Sequence, residues 1–146
     1  MQYFPPSELI INADGSIFHL HLKPEHLADN IILVGDPGRV NLVAKYFDKQ
    51  EFAISNREFN SITGSYKGKR ITVLSTGIGT DNIDIVMNEL DALANIDFQT
   101  RTEKSDFKAL NIIRIGTTGA LQADIPLGSF LISEKSIGFD GMINFY

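Results

Sequence analysis

The chain has no cysteine and no tryptophan, and only three histidines among its 146 residues. The lack of cysteine excludes disulfides, thiolate nucleophiles and cysteine-ligated zinc, and three histidines leave little material for imidazole chemistry. No apolar run approaches the roughly 20 residues that a membrane-spanning helix requires, and the first residues lack the basic stretch and apolar core of a secretory signal. We therefore expect a cytoplasmic protein with no membrane segment and no metal site.

Positive charge is also scarce. Thirteen Lys and Arg residues stand against 18 Asp and Glu residues, which gives a formal net charge of −5. No block of basic residues interrupts this balance, so most of the surface would repel a nucleic-acid backbone, and we expect no nucleic-acid partner. A small anion held by a few arginines is still compatible with the charge. The length suits a single domain over residues 1–146 with a substantial core.

Two glycine-containing turns, each with an arginine, are the most informative feature of the chain. Gly35-Asp36-Pro37-Gly38-Arg39 follows the apolar run 31–34, and Arg114-Ile115-Gly116-Thr117-Thr118-Gly119 follows the mostly apolar segment 110–113. Glycines let backbone N–H groups approach a ligand, while arginine forks and threonine hydroxyls add further donors, as a phosphate requires. The two turns together predict an anion site.

Arg114 carries the stronger part of this prediction. An arginine that directly follows an apolar strand would be a costly buried charge, so we expect an anionic ligand or a carboxylate partner for it. The alternative for Arg39 is a solvated side chain on an ordinary Pro-Gly turn, and the alternative for Thr117 is a hydroxyl that caps a turn.

The hydrophobic pattern predicts strands that alternate with helices. A continuous apolar run predicts a buried strand at 31–34, and two more strands are expected at 110–115 and 129–133. Gly68 predicts a hairpin turn between 52–66 and 70–75. Ser16–Leu22 alternates as a short extended segment would, and 97–108 is typical of an exposed loop or a frayed helix end. This pattern indicates an α/β fold with a mixed central sheet.

Two helices are expected beside these strands. One begins at the Gly35–Arg39 turn, and the other begins near Thr80 or Asp81 as its N-cap. Apolar residues at helical spacing mark the second helix most clearly: Ile83, Val86, Met87, Leu90, Leu93 and Ala94.

Taken in order, these motifs resemble the nucleoside phosphorylase family, and most closely its uridine phosphorylases. The resemblance runs from about Phe18 to the end of the chain. Its motifs are Phe18-His19-Leu20, Gly35-Asp36-Pro37-Gly38-Arg39-Val40, Arg57-Glu58-Phe59, Ser75-Thr76-Gly77-Ile78-Gly79, Asn88-Glu89-Leu90 and Arg114-Ile115-Gly116-Thr117-Thr118-Gly119-Ala120-Leu121-Gln122.

The resemblance implies a three-layer fold and a reaction in which inorganic phosphate attacks C1′ of a nucleoside and the free base leaves. Inorganic phosphate would be the co-substrate, and no other cofactor is implied. It also implies a homo-oligomer, a dimer or a trimer of dimers, whose sites cross a subunit interface. The residues implied to hold phosphate are Gly35, Arg39, Arg57, Arg114 and Thr117, with Arg57 supplied by a neighbouring subunit.

Two arginines and one histidine receive more specific roles from the resemblance. Arg39 and Arg114 would act in catalysis, because cations that position a phosphate dianion also place its charge beside a C1′ that becomes positive. His19 would reach the ribose 5′-hydroxyl across the subunit interface. Asn82 stands where several relatives carry a serine associated with a monovalent-cation site, which puts such a site at Glu58 and Ile78 in question.

Members of that family continue well beyond this length, so the chain looks like their N-terminal portion. We expect such a chain to bind anions better than nucleosides and to show little or no turnover. The alternatives are a purine nucleoside phosphorylase, a nucleosidase that uses water, and an anion-binding module without activity. A dinucleotide-binding fold is disfavoured, because Gly77-Ile78-Gly79 lacks a third glycine at the required spacing.

Overall fold

The computed structural model describes residues 2–146, which form two compact units. The first unit ends at Ile115, and the second is Gly116–Tyr146. The first unit contains, within the described residues, β1 (Asn30–Val34), α1 (Gly38–Ala44), β2 (Lys49–Asn56), β3 (Phe59–Tyr66), β4 (Lys69–Ser75), α2 (Thr80–Asn95), β5 (Ile96–Asp97), β6 (Thr102–Glu103) and β7 (Asn111–Ile115). A short 3-10 helix, Pro24–His26, precedes β1, and another, Met142–Phe145, lies in the second unit.

The central sheet is mixed, as the sequence predicts. Its strand order is β2-β3-β4-β1-β7, with β1 parallel to both β4 and β7 and with antiparallel pairing from β2 through β4. Val34 pairs with Ser75 on one side and with Ile115 on the other, so the three parallel strands end level. We call this the carboxyl end of the sheet.

Helices cover both faces of the sheet, because apolar side chains alternate along β1. Ile31 and Leu33 pack on the face that also buries Leu90 and Leu93 of α2. Val34 packs on the other face in a cluster that includes Val40 and Ala44 of α1 together with Ile62 and Val73. Burial of each large aliphatic side chain contributes roughly 1.5–3 kcal/mol. The predicted helix–sheet–helix arrangement is confirmed.

The β3–β4 hairpin turns at Lys67 and Gly68, which both have positive φ, 47° and 75°. Two positive φ angles in a two-residue turn match the twist of the flanking strands, and glycine adopts this conformation without a Cβ clash. The turn was predicted at Gly68, whereas the positive φ of Lys67 was not. Asp48 accepts a hydrogen bond from the Lys67 N–H at 2.6 Å, which helps to hold the turn.

Three segments differ from their sequence prediction. Ser16–Leu22 is not extended: Ile17 forms an isolated bridge with Ile11, and a turn follows it. The 97–108 segment contains the short β5–β6 ladder rather than only a loop. Residues 129–133 carry no strand within the described second unit, and Phe130 and Ile132 are exposed there. An apolar run predicts a strand only where a neighbouring strand supplies hydrogen bonds.

The N-cap of helix α2 lies one residue before Thr80, the earlier of the two predicted N-caps. Gly79 is the N-cap, with φ 103°, and no side chain caps the helix. Asp81 lies in the first turn, where a negative charge favours the helix dipole. No helix within residues 2–146 is both long and apolar enough to cross a membrane. The single domain expected over 1–146 stays a prediction.

Candidate functional site

The carboxyl end of the sheet gathers sequence motifs that lie far apart along the chain. The turn after β1 is 35–37, and the turn after β4 is 76–79. The β2–β3 turn at Arg57 and Glu58 lies at the same end, because β3 runs antiparallel to β4 and Ser61 pairs with Leu74. Ligands of α/β sheets commonly bind beyond the carboxyl ends of parallel strands. This end of the sheet is therefore the candidate site.

Arg114 and Gly35 meet at this end of the sheet. Arg114 pairs with Leu33 in the parallel ladder, and Gly35 lies two residues beyond Leu33, so both face the same side. A Cβ added at Gly35 would lie 3.7 Å from Nη2 of Arg114 and 3.8 Å from the carbonyl oxygen of Gly77. Both distances are ordinary van der Waals contacts, so the guanidinium group lies directly against the Gly35 position.

Arg114 is exposed, contrary to the burial expected from the apolar residues before it. The reason is that β7 lies at the border of the sheet within the described residues, and Ile113 and Ile115 are exposed as well. Burial therefore does not impose a partner on Arg114. Its guanidinium group makes no hydrogen bond or ion pair with residues 2–146, so its donors are open to a ligand.

Arg39 lies in the first turn of α1 and is half-buried. Its guanidinium group also has no hydrogen-bond or ion-pair partner among the residues that the structure describes. The nearby Gly38 N–H is taken, because the carboxylate of Asp36 accepts its hydrogen bond at 2.8 Å. The Arg39 N–H binds the backbone oxygen of Asp36 at 3.0 Å. Two backbone N–H groups of this turn are therefore already used within the turn and are not available to a ligand.

Arg57 is fixed by its own turn. It has a positive φ of 54°, and the next residue, Glu58, is anchored through the hydroxyl of Ser75, which donates to the Glu58 carbonyl at 2.6 Å. The same hydroxyl accepts a hydrogen bond from the Asn60 N–H at 2.8 Å. The Arg57 guanidinium lies 5.9 Å from the centre of the Phe18 ring. The end of β4 therefore holds the turn that carries Arg57.

His19 lies beside this turn. Its carbonyl accepts a hydrogen bond from the Asn56 side chain at 2.8 Å, and the ring packs edge-on against Phe18, with centroids 4.8 Å apart. Its Nδ1 lies 2.7 Å from Oε1 of Glu89. Glu89 belongs to the Asn88-Glu89-Leu90 motif, to which the sequence assigned no role. Glu89 lies on α2, and the tertiary structure brings it next to His19, which is 70 residues away in the sequence.

The possible cation site at Glu58 and Ile78 is occupied by a side chain. The amide nitrogen of Asn82 donates to Oε1 of Glu58 at 2.9 Å and to the carbonyl of Ile78 at 3.2 Å. Gly77 allows this approach, because a Cβ there would lie 2.8 Å from that amide nitrogen. Within the described part of the chain, no three or more His, Asp or Glu side chains form a group that could hold a metal ion.

Thr117 belongs to the second unit, where it is exposed. A cavity of about 500 Å³ lies within the first unit, between the N-terminal segment and α2, and His19 and Glu89 form part of its wall. Neither Arg39 nor Arg114 lines it. The arginines instead lie on an open surface at the carboxyl end of the sheet.

A mixed sheet with a helix layer on each face and arginines at its carboxyl end defines an α/β protein with a cationic site. The sequence profile of the Phosphorylase superfamily matches residues 29–146, and the chain belongs to that superfamily.

The relatives carry two kinds of name. A uridine phosphorylase of Haemophilus influenzae is 39% identical over 87% of this chain and 46% of its own length. A DeoD-type purine nucleoside phosphorylase of Alkaliphilus metalliredigens is 37% identical over 81% of this chain and 46% of its own length. The crystal structure of a Trypanosoma brucei nucleoside phosphorylase that shows uridine phosphorylase activity superimposes with a TM-score of 0.74. It is 42% identical and covers 81% of this chain and 41% of its own. The chain thus spans about half the length of the curated relatives it matches.

Proposed function

We propose that this chain carries the phosphate site of a uridine phosphorylase. The observation that carries the proposal is the position of the Arg114 guanidinium beside the bare backbone of Gly35, with the unpaired Arg39 on the next turn. Two planar cations can bind a tetrahedral anion through charge-assisted hydrogen bonds. The uridine phosphorylases among the relatives support uridine as the nucleoside.

In the proposed reaction a phosphate oxygen forms a bond to C1′ of the pentose while the bond from C1′ to the base breaks. The electron pair of that bond leaves with the base, which takes up the proton that the attacking hydrogen phosphate gives up, and pentose 1-phosphate remains. Arg39 and Arg114 would position the nucleophile and keep its charge beside a C1′ that becomes positive. Thr117 would add a hydroxyl donor. Inorganic phosphate is then a co-substrate, and no other cofactor is part of the proposal.

The proposal includes a homo-oligomer in which Arg57 and His19 complete the site of a partner subunit. The support is that both residues are held at the carboxyl end of the sheet, Arg57 by a positive-φ turn and His19 by Asn56 and Glu89. Arg57 would add a third cation to phosphate, and His19 would contact the ribose. The cytoplasmic location expected from the sequence belongs to the same proposal.

A second candidate is the cleavage of purine nucleosides, which the DeoD-type relatives favour. Both candidates use the same phosphate site and differ in the base. A nucleosidase would use water instead, and the three arginines favour phosphate over it.

Phosphate binding and base release test the proposal separately. Calorimetry should detect phosphate binding to the 146-residue chain, and Arg114→Ala should weaken it, whereas Lys45→Ala, an exposed cation beside Tyr46, should not. Base release from uridine and inosine is then followed chromatographically with and without phosphate. We expect little turnover from this chain alone, because catalysis requires phosphate, ribose and base to be fixed together.

Each outcome has a defined meaning. Uracil release that requires phosphate supports the proposed reaction, even at a low rate. Preferred release of hypoxanthine favours the purine candidate, and equal release without phosphate favours a nucleosidase. Phosphate binding without any release, both by this chain and by one extended to the length of its relatives, supports an anion-binding module, and no measurable binding of phosphate contradicts the proposed site.

A further inference from the structure

Glu89 accepts hydrogen bonds from three donors at the Phe18–Leu20 turn. Its carboxylate oxygens lie 3.0 Å from the His19 N–H and 2.8 Å from the Leu20 N–H, and Oε1 lies 2.7 Å from Nδ1 of His19. The carboxylate therefore binds the backbone and the ring of the same residue. Because α2 is anchored in the core through Leu90 and Leu93, the position of Glu89 is set by the main packing of the unit.

This arrangement fixes which ring nitrogen of His19 carries the proton. An ionised carboxylate can only accept hydrogen bonds, so Nδ1 must be the donor. In neutral imidazole the other nitrogen, Nε2, then carries the lone pair and acts as an acceptor. Without such a partner, either tautomer could form.

The surroundings also fix the orientation of the ring. Phe18 and Phe59 both pack edge-on against it, at centroid distances of 4.8 and 6.4 Å, and Asn56 holds the backbone carbonyl. The His19 side chain is still 27% exposed, whereas that of Glu89 is only 12% exposed. The histidine is thus fixed on the Nδ1 side and remains accessible to a ligand.

We propose that Glu89 is a positioning residue that presents Nε2 of His19 as a hydrogen-bond acceptor, and so selects nucleosides over nucleoside 5′-phosphates. The inference rests on the proposed function, in which His19 contacts the ribose 5′-hydroxyl. A hydroxyl can donate to a lone pair, whereas an ionised phosphate ester has only acceptor oxygens and would meet another acceptor at Nε2. The His19–Glu89 pair therefore favours a 5′-hydroxyl, which can donate a hydrogen bond, and disfavours an ionised 5′-phosphate, which cannot.

The first test reads the tautomer directly. Long-range ¹⁵N–¹H correlation spectra of the labelled 146-residue chain separate the protonated from the bare ring nitrogens, and His19→Gln assigns the signals among the three histidines. We expect Nδ1–H and a bare Nε2 for the neutral ring of His19. Glu89→Ala should convert most of the population to the Nε2–H form. Glu89→Gln, which retains one acceptor oxygen and similar volume, should give a mixture.

Asp91→Asn is the matched control for the loss of a negative charge. Asp91 lies on the same helix and the same cavity wall, but its carboxylate accepts from Asn95 at 2.7 Å. This variant should leave the His19 tautomer unchanged. A bare Nδ1 in the unmodified chain, or an unchanged tautomer in both Glu89 variants, would overturn the positioning role while leaving the phosphate site intact.

The second test uses ligands with phosphate present. Uridine should shift the Nε2 resonance of His19, whereas 5′-deoxyuridine and uridine 5′-monophosphate should shift it little at the same concentration. Glu89→Ala should weaken uridine binding roughly tenfold, the value of about one hydrogen bond, and reduce the preference over the monophosphate. Equal shifts from all three ligands would overturn the selectivity, and a correct tautomer with no uridine response would contradict the ribose role of His19 in the proposed function.

Discussion

The guanidinium group of Arg114 lies beside the backbone of Gly35, 3.7 Å from the point where a Cβ would stand. Two residues from distant parts of the chain thus become one feature of the surface. Parallel pairing of β1 with β7 produces the contact, because it places Leu33 opposite Arg114 and so puts Gly35 on the same face. The proposed phosphate site therefore depends on the register of one strand pair.

Arg114→Ala should weaken phosphate binding about tenfold. A charge-assisted hydrogen bond contributes about 1.5–3 kcal/mol, and the lower value applies because Arg114 is exposed and solvent screens its charge. Arg114→Lys should recover little, since an ammonium group cannot bind two oxygens as a planar fork. Calorimetric titration with phosphate measures both effects. Full recovery by lysine would show that only net charge acts here.

Gly64→Ala should destabilise the first unit by about 1–3 kcal/mol, the usual cost of overpacking. Gly64 lies on β3 beside the irregular pairing between Gln50 and Phe52, and an added Cβ would lie 2.6 Å from the Phe47 ring and would also clash with the Lys49 carbonyl. Backbone cannot move aside as a flexible side chain can. Urea unfolding measures the change.

Gly119→Ala is the control for this substitution, because nothing lies within 4 Å of its added Cβ. It should change the free energy of unfolding by no more than about 0.5 kcal/mol. Similar losses for both glycines would show that space at Gly64 is not the cause.

His26 should make the fold less stable in mild acid. Burial lowers the pKa of His26 below its ordinary value of 6.5, and its Nδ1 accepts a hydrogen bond from the Lys23 N–H at 3.1 Å. Below pH 6.5 His26 binds a proton in the unfolded chain but stays neutral in the folded chain. The free energy of unfolding therefore decreases as the pH falls from 6.5 toward the pKa of His26 in the fold. Denaturant midpoints at pH 7.5 and 5.5 measure this loss. His26→Phe, which retains an aromatic ring against Phe52, should lessen the difference, and an unchanged difference would assign it to other groups.

Because of Asn82, monovalent cations should not bind at the Glu58 turn or change the thermal stability of the chain. The Asn82 amide already binds the Glu58 carboxylate and the Ile78 carbonyl, the two oxygens that a cation would need. Melting temperatures should therefore agree in potassium and choline chloride at equal ionic strength. Asn82→Ser should lose about 1 kcal/mol of stability and gain a potassium response. A potassium-specific rise in the unmodified chain would contradict this prediction.

Arg57 should face the phosphate turns of a second copy. Because the chain has no cysteine, Arg57→Cys and Arg39→Cys give single reactive sites, and any cross-link between the two variants joins different subunits. A short bismaleimide should produce a mixed dimer in good yield. Lys69→Cys in place of Arg57→Cys should not, because Lys69 lies at the opposite end of β4 from Ser75. Equal yields, or a monomer in sedimentation, would leave no role for Arg57 in a partner's site.

Local sequence predicted much of the fold. The apolar run 31–34 and the helical spacing of Val86, Leu90 and Leu93 predict a buried strand and an amphipathic helix, and both are confirmed. These elements were predictable because their side-chain periodicity matches their own backbone geometry. The alternation of Ser16–Leu22 predicted an extended segment and was wrong, because contacts from outside the segment decide its backbone: Glu89 and Asn56 hold it as a turn.

By itself the sequence determined the strands of the parallel core, α2, and the residue types capable of binding an anion. Only the tertiary structure decided that Arg114 is exposed and that Glu89 binds the backbone and ring of His19. The physical reason is that a residue's identity sets what it can donate or accept, whereas strand order and helix packing decide which distant group it meets.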